Sequence, residues 1–254
     1  KRSELQRFTL CSIRLHLLIQ ASNIHPSPLT PEQANQVKDG QWSPLLSIPK
    51  YLKVTPSNPI ITEPYIKSTD ELNAKWKNIL LPRYNPIIGI NWRGNSNDKS
   101  RQNRNIKIHT FKRALDAISG NFICLQRDAH FKEIENVKRN PNITNKQLEI
   151  SRIADSNDPE DFLEYAAIIA NCDLVITTGS TVAHLAAGMG IPTWVLLPKV
   201  PDWRWGLEGD TTFWYPSIRL FRQRERGNWD EVMERVAEAL QEHFGERPSL
   251  RKPA

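Results

Sequence analysis

The stretch DLVITTGSTVAHLAAGMGIPTWVLLP, residues 173–198, decides how this chain folds. Its two apolar runs, DLVIT and TWVLL, have the length of buried strands, and a polar knot, TTGST, and a small-residue segment carrying one histidine separate them. Strand, short helix and strand in that order form a βαβ unit, whose strands lie parallel and are covered on both faces. In such a sheet ligands gather at the carboxyl ends of the strands, where each strand turns into its helix. TTGST lies at such a turn. Gly179 permits a backbone conformation that a residue with a Cβ resists, and Ser180 stands at the N-cap position of a helix starting at Thr181. The free N–H groups of that first turn, the positive end of the helix dipole and two hydroxyls make an anion site best suited to phosphate. His184 follows Ser180 by four residues and so faces the same way. A helix N-terminus lowers a histidine's pKa, which favours a neutral imidazole.

The bland alternative is a capped turn with a packing histidine. The usual phosphate fingerprints are absent: there is no G-x-x-x-x-G-K, and GMGIPT (188–193) ends a helix where a dinucleotide motif opens one. Nucleotide hydrolases and dehydrogenases are thereby disfavoured.

Working outward, the same alternation continues. IIGINW (87–92), FICLQ (122–126) and IRLF (218–221) are further strand candidates, with LEISRI (148–153) a weaker one. Between them, residues 110–120 place Phe111, Ala114, Leu115 and Ile118 on one helical face and stop at Gly120, a C-cap. Asp158 and Pro159 open a helix bearing Phe162, Tyr165, Ala166 and Ile169, and Asn228 with Glu231 opens the last one. Ser68 and Glu71 form a capping box before Leu72, Trp76, Ile79 and Leu80. The stretch 25–64 carries eight prolines, each of which disfavours helix at the preceding residue, so irregular connecting structure with short extended pieces is expected. Residues 86–244 read as a doubly wound α/β domain.

Composition restricts the class further. Hydrophobic residues make up 39% and charged ones 24%, an ordinary globular balance. No apolar stretch is long enough for a membrane span, and the N-terminus lacks a signal peptide's apolar core, so the expected compartment is the cytoplasm. Cys11, Cys124 and Cys172 are widely spaced with no C-x-x-C, which predicts free thiols in place of disulfides or a zinc ribbon. A net charge of +6 attracts polyanions without naming one.

Two other blocks bear on chemistry. After the 87–92 strand, RGNSNDKSRQNRNIK sets Arg93, Lys99, Arg101, Arg104 and Lys107 around Gly94 and Asn95, and arginine holds a diphosphate bidentately; a solvated basic loop is the competing reading. Gln126 ends a third strand, where an amide reads a base or sugar hydroxyl or simply faces solvent. Within 198–223, Trp203, Trp205, Trp214 and Tyr215 interleave with Arg204, Arg219 and Arg222, a pattern for stacking on sugars or bases or for packing a long loop on the core. Single-stranded nucleic acid also fits aromatic and basic interleaving, but no RNA-binding signature is present, and no nucleic-acid partner is expected.

GINWRGN, CLQ, DFLEYAAIIANCDLVITTGSTVAHLAAGMGIPTWVLLP, PDWRW and FWYPSIRLFRQRERGNWDEV resemble, in this order, the C-terminal region of heptosyltransferase-like (family nine) glycosyltransferases, particularly bacterial proteins that join this domain to tetratricopeptide repeats. PLLSIPKYLKV is similar to that family's inter-domain region. The resemblance implies a GT-B fold. Residues 1–66 would then be a truncated remnant of an N-terminal, acceptor-side α/β domain with its linker, 67–244 the Rossmann-like nucleotide-sugar-binding domain, and 245–254 a polar tail. It implies sugar transfer with inversion from a nucleotide-sugar donor to a glycan, lipid-linked saccharide or protein acceptor, with a place in the cytoplasm or at the inner membrane face. By this resemblance Gly179, Ser180, Thr181 and His184 hold the donor's diphosphate, Arg93, Gly94, Asn95 and Arg104 flank it, and Gln126 lies nearer the nucleoside. Family members often carry Asp where this chain has Gly179. No D-x-D occurs, which fits transfer without a metal or other cofactor, stabilised by the helix dipole and arginines. The general base comes from the N-terminal domain in this family, which leaves it unassigned here, with Asp202 the sole candidate named. A non-catalytic nucleotide-binding or scaffold module is the alternative.

Overall fold

The structure is a computed structural model and describes residues 13–37, 44, 47–59, 63–80, 85–94, 105–126 and 161–245. Five strands, β1 (Ile87–Asn91), β2 (Asn121–Cys124), β3 (Leu174–Thr178), β4 (Thr193–Leu197) and β5 (Ile218–Arg222), form one sheet in the order β2-β1-β3-β4-β5. Every pairing is parallel, with Asn91 opposite Thr177 and Thr178 opposite Leu196. The chain therefore steps outward from β1 to β2, returns past β1 to lay down β3, and then grows in the other direction.

Helices α1 (His16–Ala21), α2 (Pro31–Ala34), α3 (Ile48–Tyr51) and α4 (Asp70–Ile79) precede the sheet. Within it, α5 (Ile108–Leu115) follows β1, α6 (Asp161–Ala170) leads into β3, α7 (Thr181–Gly188) joins β3 to β4, and α8 (Trp229–Phe244) follows β5. Side chains alternate across each strand. Ile88, Ile90, Leu174 and Ile176 face α5 and α8, where Phe111 and Met233 meet them with no exposed surface. Ile87 and Val175 face the other layer, made by α6 and α7 with Trp76 of α4. Leu18 of α1, from the stretch read as the tail of a preceding domain, is buried in that same layer. The expectation of a doubly wound parallel sheet is met, and both faces are covered.

Boundaries differ in instructive ways. Helix α4 begins one residue later than the Ser68 box predicts: Thr69 is the N-cap and accepts from the Leu72 N–H at 3.3 Å. Ser68 instead donates its hydroxyl to the Leu163 carbonyl, tying the start of α4 to α6. Helix α5 ends at Leu115, short of Gly120, because the chain must already turn to reach β2. The proline-rich stretch holds two four-residue helices, each with proline in its first turn, where a missing N–H costs nothing. Asp158, Pro159, LEISRI and Cys11 lie outside the described residues; Cys124 and Cys172 are buried thiols outside any disulfide. Among the described residues, no helix is long and apolar enough to cross a membrane.

The segment before α4 is strapped to the end of α7. Tyr65 and Ile66 both donate backbone N–H groups to the Gly188 carbonyl, at 2.8 and 3.0 Å. Two residues on, Gly190 has φ +76°, and a Cβ there would meet the Pro64 ring at 2.5 Å, so only glycine fits.

Candidate functional site

Helix α5 leaves β1 toward one face of the sheet and α7 leaves β3 toward the other. Where neighbouring connections part in this way, a crevice opens between the carboxyl ends of the two strands. Both phosphate-binding candidates from the sequence, the turn after β1 and the turn after β3, border that crevice.

Asn91, the last residue of β1, knits the corner together although it is 4% exposed. Its Oδ1 accepts from the Thr177 hydroxyl at 3.1 Å and from the Ser180 hydroxyl at 3.3 Å, and its Nδ2 donates to the Leu125 carbonyl beyond β2 at 3.4 Å. The consequence falls on α7. Ser180 occupies the N-cap position in extended geometry, yet its side chain makes no cap hydrogen bond. The Ala183 N–H is satisfied by the Ser180 carbonyl at 3.1 Å. The Thr181 and Val182 N–H groups have no acceptor among the described residues. Thr181 is exposed, Gly179, Ser180 and His184 are half-buried and Val182 is buried, so the turn meets solvent at Thr181. Amides without an acceptor, a helix dipole and nearby hydroxyls are the groups from which an anion site is built.

Gly179 serves this turn differently from the expectation. It does not need a left-handed backbone; it needs the absence of a side chain, because a Cβ would come within 3.0 Å of the Trp205 Nε1. Trp205 is buried, and its ring stacks on His184 at 5.1 Å between centroids with 19° between planes. On the other side, His184 Nδ1 lies 3.1 Å from the Tyr215 hydroxyl. Burial first, and the nearby Arg204 guanidinium second, push the imidazole below its ordinary value against an opposing pull from Asp202. His184 is thus a neutral ring near neutral pH, as expected, though burial is the leading cause. Burial and a contact with Tyr65 hold the Tyr215 phenol protonated.

Across the crevice, the Arg93 N–H donates to Gln126 Oε1 at 3.0 Å and the Gly94 N–H to Asn105 Oδ1 at 3.3 Å. Gln126 is 3% exposed, and its carbonyl oxygen shapes the turn after β1. Asn95 and Arg104, with Lys99 and Arg101, lie outside the described residues. Lys107 is exposed.

The aromatic and basic loop divides its labour. Arg222 spends its guanidinium on the carbonyls of Gly206, Gly209, Trp205 and Glu208, which wraps the loop around a single cation. Arg219 lies over the Phe221 and Trp194 rings. Arg204 alone of the three is near His184. Asp202 caps the 3-10 turn Trp203–Trp205, accepting the Arg204 N–H at 3.1 Å and the Arg204 Nη1 at 2.7 Å. Those are the contacts of a capping and ion-pairing carboxylate. Sequence reasoning passed over Asn91 and Thr177; the signal for them was a polar residue at, or next to, the end of each of two otherwise apolar strands.

No family model matches the chain. Protein FlbA of Caulobacter vibrioides is 30% identical over 158 residues, which are 62% of this chain and 25% of FlbA. Among solved structures, the glycosyl transferase family 9 protein of Veillonella parvula superposes with a TM-score of 0.52 at 14% identity, over 80% of this chain and 59% of that one. ADP-heptose LPS heptosyltransferase II of E. coli gives 0.50 at 15% identity, over 93% of this chain and 76% of the other. The chain spans about a quarter of FlbA and about three-fifths of the Veillonella protein. The α/β fold is that of these two glycosyltransferases, as the resemblance in sequence led us to expect.

Proposed function

We propose that this chain carries the donor-binding part of a glycosyltransferase, with the diphosphate of a nucleotide sugar held at the start of α7. One observation carries the reading: Ser180 turns its hydroxyl to Asn91 and Thr177, and two N–H groups of α7 stay open at the point where the sheet reverses direction. The likeness of fold to two glycosyltransferases supports it.

In this reading Thr181 and Val182 donate backbone N–H groups to the diphosphate, and Gly179 keeps the approach clear. His184 donates from its ring, and Arg93 and Gly94 close the site from β1, with Asn95, Arg104 and Gln126 in the roles the resemblance gives them. As the sugar departs with inversion, charge accumulates on the leaving nucleoside diphosphate. Fixed amides and a helix dipole stabilise that charge without reorganisation, which is the work a divalent cation does elsewhere. The acceptor, a glycan, lipid-linked saccharide or protein, approaches from the side an N-terminal domain supplies, and the base comes with it. Asp202 is committed to Arg204 and is the poorer choice for that task.

Calorimetric titration with ADP, UDP and GDP and their sugar derivatives tests the reading. Saturable binding of one series is the expected result, and a folded chain that binds none of them at millimolar concentration contradicts it. Binding without transfer or donor hydrolysis in the full-length protein assigns the non-catalytic alternative.

A further inference from the structure

His184 has two ring nitrogens, and among the described residues only Nδ1 has a hydrogen-bond partner, the Tyr215 hydroxyl. A neutral imidazole carries one proton, and the bond made by one nitrogen decides which of the two bears it. Tyr65 lies near Tyr215. The Tyr215 phenol stays protonated, and an imidazole nitrogen is a stronger acceptor than a phenol oxygen. The Tyr215 proton therefore goes to Nδ1, and Nε2 keeps the N–H of the ring. That N–H is a donor, as a phosphate oxygen requires. The other tautomer presents a lone pair, which a phosphate oxygen repels.

Both tyrosines are held in place by their surroundings. Tyr65 sits in the strap whose N–H groups grip the Gly188 carbonyl, at the far end of the helix that bears His184. Tyr215 packs against the cluster of Ala183, Leu197 and Trp205, and its carbonyl accepts from the Ile218 N–H at 3.3 Å as β5 begins. The Trp205 ring, stacked flat on the imidazole, resists a ring flip that would exchange the two nitrogens.

We propose that Tyr215 is a positioning residue for the diphosphate site: it fixes His184 with the proton on Nε2. The proposal rests on the reading that the start of α7 holds a diphosphate, and it reaches further by assigning a role to a residue outside that helix.

Proton–nitrogen correlation spectra of isotope-labelled protein read the tautomer without any ligand. The native chain is expected to show a single Nε2–H form, and Tyr215→Phe a mixture. Inorganic pyrophosphate is expected to bind Tyr215→Phe about tenfold more weakly, the scale of one hydrogen bond to a charged group. In a His184→Gln background, where the amide nitrogen reaches the region of Nε2 and needs no tautomer fixed, adding Tyr215→Phe changes affinity less than about twofold. A proton on Nδ1 in the native chain overturns the proposal, and that measurement stands even if Tyr215→Phe does not fold. An equal loss in both backgrounds overturns it as well. Failure of the native chain to bind pyrophosphate sinks the diphosphate reading instead, and an Nε2–H signal in that case still supports the orienting role of Tyr215.

Discussion

Helices α4 and α8 each open on a residue that uses its own side chain as a cap, whereas α7 opens on one that does not. Thr69 accepts from Leu72, and Asn228 accepts from Glu231 at 3.3 Å, with Glu231 held in turn by Arg235. Ser180 is the equal of either as a capping residue, yet Asn91 and Thr177 draw its hydroxyl away. Helix α7 begins at the crevice between β1 and β3. A turn that gives up its own cap leaves N–H groups without an acceptor, and the proposed diphosphate site at α7 rests on that contrast with α4 and α8.

The strongest way to break this contrast is Ser180→Asp. A carboxylate in the site opposes a bound diphosphate at the scale of about 4 kcal/mol for like charges near 4 Å, so pyrophosphate affinity is expected to fall by about a hundredfold or more. Aspartate also caps helices well, so thermal unfolding should show stability kept or raised. Asn91→Ala comes next. It removes the shared acceptor of the buried Thr177 hydroxyl and the half-buried Ser180 hydroxyl and is expected to cost about 2 kcal/mol in denaturant unfolding. It also frees Ser180 to cap α7, which weakens pyrophosphate binding in calorimetry. Asn228→Ala sharpens the contrast from the other side, with about 1 kcal/mol lost and pyrophosphate affinity unchanged. Ser180→Ala removes no cap and should cost about 0.5 kcal/mol, half the loss at Asn228.

The smallest effect is one of pH. The folded chain holds His184 below its ordinary value of 6.5, so the unfolded chain takes up a proton first as pH falls. The stability tied to the neutral ring is complete above about pH 6.5 and declines as pH drops below it. Melting temperatures followed from pH 7.5 to about 5 should fall more steeply for the native chain than for His184→Gln. Parallel curves contradict the buried, neutral imidazole.

The alternation of apolar runs with helical patterns was legible in the sequence because each strand is covered on both faces and so reads as an unbroken apolar run. The corner at the start of α7 was legible too, since Gly179, Ser180 and His184 lie within six residues of one another. Its working was not. The withdrawal of Ser180 from its cap depends on Asn91, 89 residues away, and the fit of Gly179 depends on Trp205. Gln126 was expected to face a nucleoside or solvent, but its carbonyl oxygen supports Arg93 from the end of the neighbouring strand. Such relations are set by register between strands, and local spacing carries no trace of them. The end of α5 was misplaced for a similar reason: the reach to β2, and not the helical pattern, stops it.

The central claim concerns two N–H groups, those of Thr181 and Val182, and amide spectra report on them directly. Titration of the isotope-labelled chain with ADP, UDP and GDP should shift both resonances in a saturable way with one of the three, while the first-turn amides of α8 stay still. Resonances of Thr181 and Val182 that remain unmoved at millimolar nucleotide, in a chain whose spectrum is that of a folded protein, contradict the account.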